Sequence, residues 1–304
     1  MGRLTSRFTL RNSTQKLTNL TYTLLVYPDF MKGILKGNMV KQSKNNQQTD
    51  MENQINIVGA QVPYTVPKSI LSDGNSNSKT KKNIRTTKIL YLAPEQQNEL
   101  GINLCPFSSE GCRKACLFTA GMGVYANVKQ ARLNRTHYYL QDRFTFLLQT
   151  ADEIVRAAKT LQKVNQPLAV RLNGTSDIKL VEQLTSSYGD HIPQNVVFYD
   201  YTKIPKKAGN YTLKSGHRYQ VAFSLAEDNW ENFEWLVGNK LAVGAAVFAV
   251  KKDQPLPEFY KGMPVVDGDS RDDLMLDVPL GTILGLRAKG KALKDKSGFV
   301  IQNF

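Results

Sequence analysis

Three cysteines, Cys105, Cys112 and Cys116, fall within twelve positions of a 304-residue chain that has no other cysteine. Their spacing is C-x6-C-x3-C. An odd number packed onto one short stretch is a poor disulfide framework and a good thiolate ligand set, which points to a reducing compartment. Three thiolates this close can reach one iron–sulfur cube, with Pro106, Gly111 and Gly121 helping the loop to wrap around it. The reading is therefore a [4Fe-4S] cluster with one iron free of protein ligands, open to a substrate or cofactor. Zinc is the alternative metal. It ordinarily takes four ligands and would recruit His137 or keep a position for water. Buried free thiols are the plainest alternative.

A second group of polar residues stands where predicted strands end. Arg171, Asn173, Ser176 and Asp177 follow one apolar run, and Asp200, Tyr201 and Lys203 close another. Asp267 and Asp269 follow Val265-Val266, and Arg287 and Lys289 follow Ile283–Leu286. Ligands of parallel α/β folds sit at the carboxyl ends of strands. These residues are expected to line one site with the cysteine loop. Asp177, Asp200 and Lys203 are the candidate catalytic groups. Arg171, Asn173, Ser176, Tyr201, Arg287 and Lys289 are the candidate substrate-binding groups. Each has an ordinary alternative: Asp177 as a helix cap, Asp267-Gly268-Asp269 as a turn, the lysines as a solvated face.

The elements that must position these groups are readable from apolar patterning. Lys88–Leu92 is a short strand ahead of the cysteine loop. Val124–Tyr139 is helical, and a helix capped by Asp142 follows, with Phe144, Leu147, Leu148, Ala151, Ile154, Val155, Ala158 and Leu161 on one face. Strands at Leu168–Leu172, Val196–Tyr201, Tyr219–Leu225 and Leu241–Val250 then alternate with helices at Ile178–Ser186 and Asn229–Val237. Shorter runs follow at Val265–Val266, Thr282–Leu286 and Phe299–Ile301. Continuously apolar strands between helices predict an α/β fold: a parallel sheet with helical crossovers, partly closed into a distorted (β/α) barrel, with the cysteine loop after its first core strand. The polar stretch Ser72–Lys82 reads as an exposed loop.

The net charge of +14 favours polyanions, so nucleic acid or a nucleotide is the expected partner. Residues 1–50 contribute eight Lys/Arg against two Asp/Glu and end in a polar run, which predicts a disordered or non-core extension ahead of one α/β metal-binding domain over 51–304. No apolar run approaches the ~20 residues that span a bilayer. Leu20–Tyr27 is too short and too rich in threonine for a secretory leader, so a cytoplasmic location is expected. Phosphate-loop, dinucleotide-glycine and nucleophile–His–Asp patterns are absent, and no motif specifies an oligomeric state.

Four blocks in order, Cys-Pro-x-x-Ser-x-Gly-Cys-x-x-x-Cys-Leu from Cys105, Arg-Leu-Asn-Gly-x-Ser-Asp at 171–177, Phe-Tyr-Asp-Tyr-Thr-Lys at 198–203 and Gly-Leu-Arg-Ala-Lys-Gly-Lys at 285–291, resemble the phage Gene product 88 family. The resemblance runs from about residue 86 to the C-terminus. It implies a virus or integrated element as source, and host cytoplasm as location, but no particular reaction. A second likeness is to radical S-adenosylmethionine enzymes, which also carry a three-cysteine loop after the first strand of an incomplete barrel. Their spacing is C-x3-C-x2-C, and Thr119 stands where their third cysteine would fall. That likeness implies S-adenosylmethionine as cofactor.

Overall fold

The computed structural model describes residues 61–76, 79–116 and 121–304. The expected extension over 1–50, the candidate leader within it and the proposed start at Met51 lie outside these residues. Eleven strands form one sheet: β1 (Ser72–Asp73), β2 (Thr86–Ile89), β3 (Leu168–Arg171), β4 (Val196–Thr202), β5 (Gly209–Thr212), β6 (Arg218–Ser224), β7 (Gly244–Phe248), β8 (Phe259–Tyr260), β9 (Met263–Asp267), β10 (Ile283–Arg287) and β11 (Val300–Ile301). Across the sheet they run β1-β2-β3-β4-β6-β7-β10-β9-β8, with β5 against β6 and β11 against β7. All pairings are parallel except those of β1, β5 and β8.

The expected barrel does not close. Closure needs the first and last strands to pair with a stagger. Here the margins are β1 and β8, two-residue antiparallel strands that pair only inward. The sheet is therefore open and mixed. It is also offset along its length. β6 shares one side between β5, at Arg218–Val221, and β7, at Phe223–Ser224. β7 runs on beyond β6 and meets β11 at Val247–Phe248. The second half of the sheet thus projects past the first at the carboxyl edge.

Among the described residues the helices are α1 (Glu110–Lys114), α2 (Ala126–Gln141), α3 (Arg143–Gln162), α4 (Leu180–Tyr188) and α5 (Trp230–Phe233), the last running into a π turn at Glu234–Gly238. The Asp142 side chain accepts from Thr145 N and caps α3 as expected. Strand residues alternate between two faces. Leu168, Val170, Val196, Phe198, Tyr219 and Val221 pack under α2, α3 and α4. Ala169, Tyr199, Ala222, Ala245 and Leu284 face the opposite way, onto Met275 and Leu276 of a 3-10 turn at Asp272–Leu276. No helix among the described residues is long and apolar enough to cross a membrane.

An extended segment over 61–71 lies along α2 and α3 and is held by side chains. Gln141 pairs with both backbone groups of Val62 (3.1 and 2.7 Å), and Asn134 accepts from Thr65 N at 2.7 Å. Glu153, buried in α3, accepts from Ile70 N (2.7 Å), Leu71 N (2.9 Å) and Ser69 Oγ (2.8 Å). Gln149, also buried in α3, donates to Pro67 O at 2.8 Å, so both polar side chains serve this segment.

Candidate functional site

After β3 the chain turns against the end of β2. Gly174 N donates to Leu90 O at 2.9 Å, and a Cβ there would lie 2.7 Å from both that oxygen and the Tyr91 ring, so only glycine fits. The turn presents Asn173, whose hydrogen-bonding capacity is fully used. Its N and Nδ2 donate to Asp200 at 2.9 and 3.0 Å, and its Oδ1 accepts from Ser176 Oγ (3.0 Å) and Ile178 N (3.1 Å). Tyr219 Oη is a third donor to Asp200, at 2.9 Å. Asp200 is wholly buried, and burial raises its pKa above the ordinary carboxylate value against the pull of Lys207 and Asn173.

Asp177 does not cap the next helix: α4 begins at Leu180 with Lys179 in the cap position. Its carboxylate instead accepts from Thr202 Oγ1 (2.8 Å), Lys203 N (2.8 Å) and Lys207 Nζ (3.2 Å). Lys207 Nζ is buried and also donates to Ile178 O at 3.0 Å. Lys203 contributes its amide here, while its ammonium sits 5.4 Å over the Phe299 ring.

Arg171 and Tyr201 belong to the other face. Arg171 Nη1 donates to both Asp272 oxygens (3.2 and 3.1 Å), Tyr199 Oη donates to Asp272 at 2.9 Å, and Lys79 pairs with it at 3.3 Å. The Tyr201 ring lies 4.6 Å from the Arg171 guanidinium and 5.9 Å from Lys79 Nζ. Burial pushes the Asp272 carboxyl upward, but the charges of Arg171 and Lys79 prevail and hold it at about 2. Lys79 comes from the stretch expected to be an exposed loop. That stretch contains β1 and 3-10 turns, with Gly74 and Thr80 buried. Arg287 closes on Asp267 (2.9 Å), and Lys289 on Asp269 (2.7 Å), so the Asp267–Asp269 turn also neutralises the end of β10.

The cysteine stretch lies against the first group. Asp177 N donates to Leu104 O at 2.8 Å, and Cys105 Sγ stands 3.7 Å from Thr175 O. Cys112 sits inside α1 and Cys116 just beyond it. All three cysteines are half-buried. Burial pushes the Cys105 thiol up to about 12, and the neighbouring Cys116, Asp177 and Cys112 add to the shift. Arg132, on α2, lies 5.1 Å over the Tyr91 ring, and its charge is coupled to Cys116. Among the described residues no trio of cysteine, histidine or carboxylate groups converges on one point at ligand distance. The thiols nonetheless form one electrostatic cluster. Three thiols are of the kind that binds a metal through thiolates, but their positions do not converge on one point.

The residues read from strand ends thus divide by face. Asn173, Ser176, Asp177 and Asp200 gather beside the cysteines, with the Lys203 amide. Arg171 and Tyr201 gather on the opposite side, and Arg287 and Lys289 pair instead with Asp267 and Asp269. Lys207, Lys79, Tyr199, Asp272 and Glu227, whose carboxylate accepts from Ser109 Oγ (2.7 Å) and Gly111 N (2.6 Å), have no local signature, since their partners lie far away in sequence. Tyr199 alone is recoverable, as the residue two before Tyr201 on the same face. The His137 ring meets Glu99 at 2.6 Å. A groove of about 530 Å3 lies beside α2, lined by Tyr64, Thr65, Gln130 and Asn134, and no cysteine borders it.

A family model described as Gene product 88 matches residues 69–303. No curated protein and no solved structure matches the chain. The comparisons lend no support to the likeness to radical S-adenosylmethionine enzymes.

Proposed function

The chain belongs to the phage Gene product 88 family, and on that premise we propose that Cys105, Cys112 and Cys116 hold an iron–sulfur cluster and that a cationic, tyrosine-bearing strand edge across the sheet takes a polyanionic or nucleotide-containing substrate. What supports the reading is the grouping in the sequence: Cys105, Cys112 and Cys116 lie within twelve positions, with Leu104 O accepting from Asp177 N beside Cys105. When bound, a cluster with three protein thiolates supplies one iron open to an exogenous ligand. S-adenosylmethionine is the cofactor to test there.

The chain's own residues would orient the substrate. Arg171 Nε is buried and has no acceptor among the described residues, a donor that a phosphate oxygen would satisfy. Tyr91 and Tyr201, each stacked with a guanidinium, offer faces for a base. Asp177 and Asp200 are engaged by fixed donors, so their contribution is to hold the turn that faces Cys105, with Asp177 as the candidate proton carrier nearest the thiols.

A second reading, a nucleic-acid-binding protein whose metal only staples the loop, is favoured by one observation. Lys291, Lys294 and Lys296 are exposed on the segment whose Ala292 packs against Ala115, next to α1. Anaerobic purification followed by iron, sulfide and zinc analysis of wild type and Cys112→Ala separates the two. Iron and sulfide lost on substitution support the cluster. One zinc per chain, with salt-sensitive DNA binding, supports the staple. Metal-free wild type overturns both.

A further inference from the structure

We propose that the N-terminal half of α2 is a docking site for an extended, uncharged segment of a partner polypeptide, whose backbone is read by the carboxamides of Asn127 and Gln130. The chain shows this mode of recognition on itself. Gln141 accepts from Val62 N at 3.1 Å and donates to Val62 O at 2.7 Å. Asn134 accepts from Thr65 N at 2.7 Å and donates to Thr65 O at 2.5 Å. Each carboxamide takes both backbone groups of one residue, so no particular side chain is required of the segment it holds.

Seven positions along a helix advance about 10.5 Å, and three residues of extended chain advance about 10 Å. That match lets Gln141 and Asn134, seven apart, hold Val62 and Thr65, three apart. Asn127 stands seven positions before Asn134 and is the next member of the row. The chain's own segment does not continue to it. Past Thr65 it crosses to α3, where Gln149 donates to Pro67 O at 2.8 Å and Glu153 accepts from Ile70 N at 2.7 Å. Asn127 opens instead onto the groove of about 530 Å3, together with Tyr64, Gln130 and Ala131. Asn127, Gln130 and Ala131 are exposed. One lone pair of Asn127 Oδ1 accepts from the adjacent Val128 N at 2.9 Å, and a carboxamide carries a second lone pair and two donors. None of the described residues lining the groove is charged, so nothing there would offset the burial of a charged side chain. A partner segment would continue the interface that residues 62–65 begin.

The test screens the full chain against bead-bound heptapeptides free of Asp, Glu, Lys and Arg, then measures the resynthesised binders by fluorescence anisotropy. Asn127→Ala should bind such a peptide about tenfold more weakly than wild type, the loss expected for a pair of neutral hydrogen bonds. Methylating one backbone nitrogen of the peptide should weaken binding to wild type, and should weaken binding to Asn127→Ala less. Lys129→Ala, which does not line the groove, should bind as wild type does. Equal affinity for wild type, Asn127→Ala and Gln130→Ala overturns the proposal, and so does a screen that returns no uncharged binder. Binding that tolerates methylation at every nitrogen overturns recognition through the backbone. Should Asn127→Ala not fold, the methylated series on wild type decides alone.

Discussion

Asp200 and Tyr201 are consecutive in β4 and serve opposite sides of the sheet. Asp200 accepts from Asn173 and Tyr219 on the side of the helices, whereas the Tyr201 ring stacks 4.6 Å from Arg171 on the side of Asp272. One peptide bond therefore joins an acid-centred cluster that borders the cysteines to a cation-rich cluster that does not. Substitutions in the two should have distinguishable consequences.

On the cation-rich side, Asp272 is the shared partner of Arg171, Lys79 and Tyr199. Asp272→Asn removes the buried carboxylate that Arg171 and Lys79 share. The expected cost is about 3–5 kcal/mol, read from urea denaturation. Replacing Arg171 and Asp272 together by Met and Leu should recover much of it. An unchanged midpoint for the single variant would show that water already carries these charges.

Stability should depend on acid through the same residue. The Asp272 carboxyl is held at about 2 against an ordinary 3.8. A depressed folded value means that the stabilisation is fully present above pH 3.8 and is lost as pH falls towards 2. The depression corresponds to about 2 kcal/mol. Denaturation midpoints of wild type should fall through this window, while those of Asp272→Asn should fall less steeply.

In metal-free protein Cys105 should be a poor nucleophile. With its thiol pushed up to about 12, almost none is thiolate at pH 8. Alkylation mapped by mass spectrometry should label Cys105 well below the rate of an unhindered cysteine peptide. Labelling at the peptide rate would mean that the loop opens readily without metal.

Gly111→Ala should act on the metal centre through sterics alone. The added methyl meets Ser297, Phe299 and Glu227, so α1 must move off the C-terminal segment. Destabilisation of about 1–3 kcal/mol is expected, with reduced metal content per chain. Full metal occupancy at reduced stability would show that α1 can shift without disturbing the ligands.

Glu153→Ala removes the acceptor of two backbone amides and one hydroxyl in the 61–71 segment. Hydrogen bonds to a charged group contribute about 1.5–3 kcal/mol, so exchange at the Ile70 and Leu71 amides should quicken about tenfold or more. Exchange confined to wild-type rates would assign the docking to apolar contacts instead.

The central fold was legible because its signals are local. Apolar runs at Leu168, Val196, Tyr219 and Ile283 mark buried parallel strands, and the 3.6-residue spacing after Asp142 marks α3 with its cap. Strands β1, β5 and β8 carry two to four residues and no apolar run. They arise from pairing with an existing edge, which no local pattern announces. The helix expected at Asn229–Val237 is one α turn followed by a π turn. At the site, the strand-end rule found Arg171, Asn173, Asp177, Asp200 and Tyr201. It took them as convergent, whereas alternation along β3 and β4 sends them to two faces. Asp272 stands 101 positions from Arg171, and Glu227 stands 118 from Ser109. Partners that distant are fixed by topology, which a single sequence does not print.

The docked segment at 61–71 bears on where this protein can be cut. The family match begins at residue 69, yet Val62 and Thr65 are gripped by Gln141 and Asn134, and the Tyr64 ring stacks on Tyr138 at 5.3 Å. A fragment trimmed to the family boundary would strip this cover from α2. Tyr138 would be wetted, and a hydrophobic surface would open on the helical side of the molecule. Such a fragment should tend to self-associate. A boundary drawn by similarity would thus be taken for an oligomeric state of the protein.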